Sequence, residues 1–158
     1  MISTLPGEWP WVDILGLFVH LAGFVIGLGA VTVIDLHGFR GRNSPYWTEA
    51  TIRTHKITKP LIWCGLFLAI VGASIYHRHH EWTIFLRVQA AIAVLLVLNG
   101  IFLSFRVSPF LLQRERAGRA QELLPAALQH KIILAFIISF GGWWTGLLLT
   151  VIQVLTIR

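Results

Sequence analysis

The chain has 158 residues, of which 56% are hydrophobic and only 13% charged, and its mean hydropathy is +0.72. A soluble domain of this length could not bury so much apolar surface, so the composition predicts an all-α integral membrane protein. The single cysteine excludes a disulfide framework and a cysteine-based zinc or iron–sulfur site. The net charge of +6 does not indicate nucleic acid, because Lys and Arg are confined to the gaps between apolar runs.

Four apolar runs have about the length that crosses a hydrocarbon core, and they predict helices over residues 11–34, 60–76, 87–105 and 131–155. We expect a single domain over residues 1–158, packed as an antiparallel four-helix bundle. The loops 36–59 and 106–131 carry ten of the 13 Lys and Arg residues. By the positive-inside rule these loops face the cytoplasm and both termini lie outside. The prediction is a multi-pass protein of the bacterial cytoplasmic (inner) membrane, embedded in the lipid bilayer.

Small residues repeat in steps of four and three along the first two predicted helices, so they share one helix face. The first face contains Gly16, His20, Gly23, Gly27, Ala30 and Ile34, and the second contains His55, Thr58, Ile62, Gly65, Ala69, Gly72 and Tyr76. Such faces favour helix contacts in lipid, because close backbone approach supplies dispersion energy. The fourth helix repeats the pattern with Ser139, Gly142, Gly146 and Leu149. In the third helix, the amides of Gln89 and Asn99 need hydrogen-bond partners within the bundle.

His20 lies within roughly 5 Å of the expected bilayer centre, as estimated from helical rise. An ionisable side chain at that depth is a functional candidate by default. Two interpretations stay open. The imidazole bridges helices through hydrogen bonds, for example to Gln89 or Thr145, or it ligates haem or a metal or hydrogen-bonds a quinone.

His55 and His130 stand just before two predicted helices, at nearly the same depth. Two histidines in that relation can be the axial ligands of a b-type haem or two ligands of a divalent metal. The alternative is that each lines a basic loop near the lipid headgroups. His20 and His55 differ by about 20 Å along the membrane normal, so they cannot bind the same iron.

The connection after the second helix reads Tyr76-His77-Arg78-His79-His80-Glu81. Imidazoles suit copper and zinc, so His77, His79 and His80 form a candidate metal cluster, the alternative being solvated loop histidines. We expect Asp35 to pair structurally with a basic residue such as Arg53 or Lys56. From Pro109 onward, leucines flank basic residues, which predicts a short interfacial helix.

Short motifs in all four predicted helices resemble small bacterial inner-membrane proteins of the group related to copper-resistance protein D. They are His20-Leu21-Ala22-Gly23, Gly27-Leu28-Gly29, His37, Asn99-Gly100, Pro109 and Trp143-Trp144. The chain is also similar, more distantly, to the small membrane protoporphyrinogen oxidases, whose first helix carries a histidine and which are thought to hold haem. Val19 stands where that family has an arginine, and the last helix lacks its polar motif. The resemblance therefore transfers only His20, as a ligand position.

The sequence contains no nucleophile elbow, phosphate-binding glycine loop, HExxH or intramembrane carboxylate pair, which argues against hydrolase, kinase, zinc protease and carboxylate-driven proton pump. The leading hypothesis is a membrane protein that binds a redox cofactor, most simply haem b, and handles electrons, tetrapyrrole or metal. Its partners would include a quinone or a larger membrane complex. One alternative is a non-catalytic accessory subunit, which predicts more glycine faces than one bundle can bury. A second is a small metal-ion transporter. The sequence does not decide whether the chain is an enzyme.

Overall fold

The computed structural model describes residues 10–156, and most of this range is helical. The elements are α1 (Pro10–Gly41), α2 (Pro45–Tyr76), α3 (Ile84–Phe102), a π-helical segment (Leu103–Val107), α4 (Ser108–Arg116) and α5 (Ala126–Thr156). Within the described range, four helices are long and apolar enough to cross a membrane, with Ile84–Arg116 counting as one. The predicted all-helical class with four long apolar helices is confirmed. Residues 1–9 and 157–158, which the termini prediction concerns, lie outside the described range.

The helices extend well beyond the predicted apolar runs. α1 continues to Gly41, and α2 begins at Pro45, so only a short turn separates them. Local side-chain contacts stabilise these extensions: Arg53 forms an ion pair with Glu49 one turn earlier at 2.5 Å. The Thr48 hydroxyl donates a hydrogen bond to the Gly41 carbonyl at 2.7 Å, which satisfies an unpaired group at the end of α1.

The segment that the sequence predicts to be a short interfacial helix is helical in the structure and continues α3. α4 ends at Arg116 and continues α3 through the π-helical segment, so the two form one long rod. Leu111 is 4% exposed and belongs to a buried cluster with Ile52 and Val107. Leu111 therefore packs α4 against α2.

Glycines bring the backbones of α1 and α2 into direct contact. We call Gly16, Gly23 and Gly27 of α1, with Gly65 and Gly72 of α2, the glycine seam. A Cβ atom added at Gly65 would lie 2.5 Å from the Gly27 backbone, and one at Gly16 would lie 2.8 Å from the backbone nitrogen of the last α2 residue. Residues further along α1 therefore contact residues earlier in α2. The two small-residue faces predicted from the sequence are confirmed as contact faces, and they contact each other.

A hydrophobic cluster joins the seam to α3 and α5. It consists of Phe24, Val31, Leu66, Leu96 and Trp143. The Trp143 indole is 1% exposed, meets the Phe24 ring edge to face at 5.7 Å between centroids, and covers Gly27. Large apolar side chains elsewhere point outward along the rods, including Val25 and Phe105, each 75% exposed. That surface is the kind that a bilayer would cover.

Candidate functional site

His20 is held by hydrogen bonds to three other helices. It is 3% exposed, and Gly72 of the seam leaves room for its backbone. Nδ1 lies 2.6 Å from the Ala69 carbonyl oxygen of α2, and Nε2 lies 2.9 Å from the Thr150 hydroxyl of α5. The Gln89 amide nitrogen of α3 is 3.2 Å from the same Nε2 atom. The imidazole therefore links all four long rods.

The hydrogen-bond partners assign a direction to this network. A carbonyl oxygen only accepts, so His20 Nδ1 carries the proton and Nε2 is the accepting nitrogen of a neutral ring. Gln153 donates to the Gln89 side-chain oxygen at 2.7 Å, and Gln89 donates to the Thr150 hydroxyl at 2.8 Å. Thr150 can then donate to His20. The result is a continuous polar chain from α5 through α3 and α1 to the α2 backbone.

The predicted bridging of His20 to Gln89 is present, but the other partner suggested from the sequence is wrong. Thr145 is exposed, whereas Thr150 is 3% exposed and bonds the ring. Five residues along an α-helix turn by about 140°, so the two threonines occupy different faces. The predicted need of Asn99 for a partner is also met, because its amide donates to the Ala135 carbonyl at 2.9 Å.

A cavity of about 560 Å³ opens between α2 and α3, beside His20, and we call it the His77 cavity. His20, His77, His80 and Gln89 supply polar groups to its wall, while most of the remaining lining is apolar. The volume is in the range of sites that bind cofactors and other small molecules. The sequence singled out all three histidines, but it assigned them to two separate sites.

The histidines at the mouth of this cavity have an unusual environment. Burial, together with the nearby imidazoles of His80 and His20, lowers the pKa of His77 to about 4. The ring of His77 is therefore neutral at pH 7 and able to ligate a metal. The centroids of His77 and His80 lie 5.7 Å apart, and Tyr76 stacks on His80 at 5.6 Å. The buried Nδ1 atom of His80 has no hydrogen-bond partner in the described chain.

The third member of the predicted metal cluster does not join this cavity. His79 is exposed and is not part of the cavity wall. Among residues 10–156, no group of three or more His, Cys, Asp and Glu side chains is arranged to hold a metal ion. Arg78, between the histidines, pairs with Asp13 of α1 at 2.7 Å and thereby ties the loop to the start of α1.

A second cavity, of about 140 Å³, lies toward the other end of the rods, and we call it the Asp35 cavity. Asp35 of α1 and His55 of α2 line it, together with Lys59. His130 is exposed and is not in its wall, although the neighbouring Gln129 is. The structure thus does not place the suggested His55 and His130 pair around this space.

The expected ion pairs of Asp35 are wrong. Arg53 instead contacts Glu49, and Lys56 contacts Glu115 at 2.8 Å. The carboxyl oxygen Oδ2 of Asp35 is buried without a hydrogen-bond partner among the described residues, and so is Nε2 of His55. Both bases are carried outward on the exposed face of α2, because the helix extends through the segment that the sequence suggested to be a loop.

The residues that line the His77 cavity fit a haem group. Haem needs an apolar slot and a neutral imidazole, and the His77 cavity supplies both. His20 lies on the same wall, but both of its ring nitrogens already have partners, so ligation would require those bonds to break. The residues that fit an iron ligand best are therefore His77 and His80.

Comparison with protein-family models, curated proteins and solved structures finds no match to this chain.

Proposed function

We propose that the chain is a multi-pass protein of the bacterial inner membrane, an antiparallel four-helix bundle with both termini outside, that holds a redox cofactor. Haem b is the cofactor that fits best, bound in the His77 cavity with His77 as its first iron ligand. The observation that carries this proposal is the convergence of three histidines on one large, mainly apolar cavity. A bound haem would supply one-electron chemistry at the outer side of the membrane.

The packing elsewhere in the molecule supports a ligand in this space. Helix bundles normally pack as densely as organic crystals, and the glycine seam shows such packing on one side of α2. On its other side, small residues such as Ala73 of α2 and Ala93 of α3 line free space instead. A planar apolar group would fill that space and restore the missing contacts.

The polar groups of the cavity divide into two roles in this proposal. His77 is neutral at pH 7 and His80 has an unpaired buried nitrogen, so these two are available to an iron or to a propionate. His20 is a positioning residue, because its hydrogen bonds connect the wall of the cavity to α5. This differs from the sequence-based hypothesis, in which His20 is the first ligand, and the two assignments predict different variant behaviour.

The test is an absorption spectrum of the purified protein in mild detergent, oxidised and dithionite-reduced, after expression with added haem precursor. We expect a Soret band and sharpened α and β bands on reduction. His77→Ala should lose the bound haem while retaining the fold, and His79→Ala, an exposed neighbour, is the matched control and should keep it. A colourless wild-type protein, or equal haem content in both variants, would contradict the proposal.

A second candidate function, an accessory subunit of a larger membrane complex, is favoured by a different observation. A Cβ atom added at Gly29 or Gly141, both exposed, would meet nothing within 4 Å. Glycine on a membrane helix commonly marks close contact with another helix, and these two have no such contact within the described chain. If the function is accessory, the chain migrates in a larger complex on native gels of its own membranes. Gly29→Leu and Gly141→Leu should then shift it to the size of the isolated chain.

A further inference from the structure

Two residues that line the Asp35 cavity each have a buried polar atom with no hydrogen-bond partner among the described residues. Asp35 Oδ2 belongs to α1 and His55 Nε2 belongs to α2, and both side chains line the same space. A buried polar atom without a partner costs free energy, typically about 1–3 kcal/mol, so native proteins keep few of them. Two on one cavity wall indicate that the partner is a ligand.

The register of α1 against α2 places the two side chains at the same level. Gly27 meets Gly65, and further along Gly41 meets Thr48. Counting inward from these two contacts brings Asp35 opposite His55. A ligand in the cavity therefore lies beside the carboxyl group of one helix and the imidazole of the other.

The rest of the cavity wall limits the chemistry of that ligand. Lys59 and Arg42 both line it, so their positive charges disfavour a cationic ligand. Trp63, Phe136 and Leu66 make most of the surface apolar. A cavity of about 140 Å³ has room for one six-membered ring, since an engineered cavity of roughly 150 Å³ binds benzene.

We propose that the Asp35 cavity binds the ring of a lipid-soluble quinol, a dihydroxylated aromatic head group. Asp35 accepts a hydrogen bond from one ring hydroxyl, and His55 bonds the second ring oxygen. The apolar side chains pack on the ring faces. The site is separate from the His77 cavity and goes beyond the proposed function, because Asp35 and His55 bind a quinol whether or not a haem is present.

The experiment measures binding of decylhydroquinone, a quinol with no other ring substituent, to the purified full-length chain in detergent under anaerobic conditions, by quenching of tryptophan fluorescence and by thermal unfolding. Trp63 lies in the cavity wall and reports on occupancy. We expect decylhydroquinone to raise the unfolding temperature, and decylbenzene, which lacks only the two ring hydroxyls, to do so much less. A quinol that binds no better than decylbenzene would overturn the proposal and would indicate that the cavity accepts lipid chains without discrimination.

Two variants and two matched controls locate the binding. Asp35→Leu and His55→Leu should each weaken decylhydroquinone binding by about tenfold or more, because leucine has no atom that can hydrogen-bond the head group. Glu81→Leu and His79→Leu remove a carboxyl group and an imidazole at exposed positions outside the cavity and should bind as wild type. Quinol binding that is equal in all four variants would overturn the assignment.

Stability without ligand distinguishes a binding role from a structural one. Asp35 Oδ2 and His55 Nε2 have no partner to lose, so the two variants should unfold at the wild-type temperature or above it. A lower unfolding temperature in both would show that the chain itself satisfies these atoms, which overturns the proposal. The haem spectrum is independent of all these outcomes, so a failure here is distinct from a failure of the proposed function.

Discussion

The two sides of α2 differ in how closely they approach their neighbours. Toward α1, Gly65 and Gly72 bring the backbones into contact, so that a single added methyl group would collide with the facing helix. Toward α3, Ala73 and Ala93 line the His77 cavity, and the helices make few direct contacts. Small residues therefore have two uses in one bundle. They close a seam where they face each other, and they line free volume where the helices do not meet.

The largest expected loss of stability comes from removing the Trp143 side chain. This side chain, with Leu66 and Leu96, lines both cavities and fills the space between them. We expect Trp143→Ala to destabilise the fold by about 3–5 kcal/mol, because it leaves a large void and removes the ring that covers Gly27. Trp144→Ala, at the adjacent 49% exposed position, should cost about 0.5 kcal/mol or less. Thermal unfolding in detergent measures both, and equal losses would contradict the assignment.

The seam itself is tested by Gly72→Ala. The new Cβ atom would collide with the backbone of His20, which no side-chain rotation can relieve, so we expect a loss of about 3 kcal/mol. Gly29→Ala is the matched control on α1, because a methyl group there meets nothing within 4 Å and alanine favours helix. That variant should unfold at the wild-type temperature or slightly above it. If Gly72→Ala behaves like Gly29→Ala, the close seam is wrong.

His20→Ala separates the polar network from cofactor ligation. Thr150 and Gln89 lose a buried hydrogen-bond partner, so we expect destabilisation of about 2 kcal/mol. His79→Ala is the control, because His79 is exposed and lines neither cavity. Unfolding temperature and haem content should be followed together. If His20→Ala loses haem but unfolds at the wild-type temperature, His20 rather than His77 is the first iron ligand.

The smallest expected effect is a pH dependence of folding stability caused by His77. The pKa of His77 is lowered from 6.5 to about 4, so the unfolded chain takes up the proton more readily than the folded one. The stability that this ring contributes is complete above pH 6.5 and is lost as pH falls toward 4. Because the ring is only half-buried, we expect the free energy of unfolding to fall by about 1 kcal/mol over this pH range.

The measurement is the unfolding temperature of haem-free wild type and His77→Gln across pH 4–7. The difference between the two proteins should change through this window and stay constant above it. A difference that does not vary with pH would show that His77 is solvated and would remove an argument for the cavity as a ligand site.

Local sequence patterns predicted several features of the site. The steps of four and three located His20 on the same face as Gly16 and Gly23, and burial of that face is confirmed. The amides of Gln89 and Asn99 were expected to find partners, and both do. The convergence of His20, His77 and His80 on one cavity was not predicted, because residues 57 or more positions apart carry no local signal of their distance.

The sequence by itself determined the number of long apolar helices, their approximate positions and the faces that make contact, since all three follow from hydropathy and helical periodicity within one segment. Only the tertiary structure decided that the two glycine faces meet each other, that Thr150 bonds His20, that Asp35 lacks its expected ion pair, and where free volume lies. The physical reason is that separations between helices depend on side-chain volumes at every contact around the bundle. A cavity is a property of several segments at once.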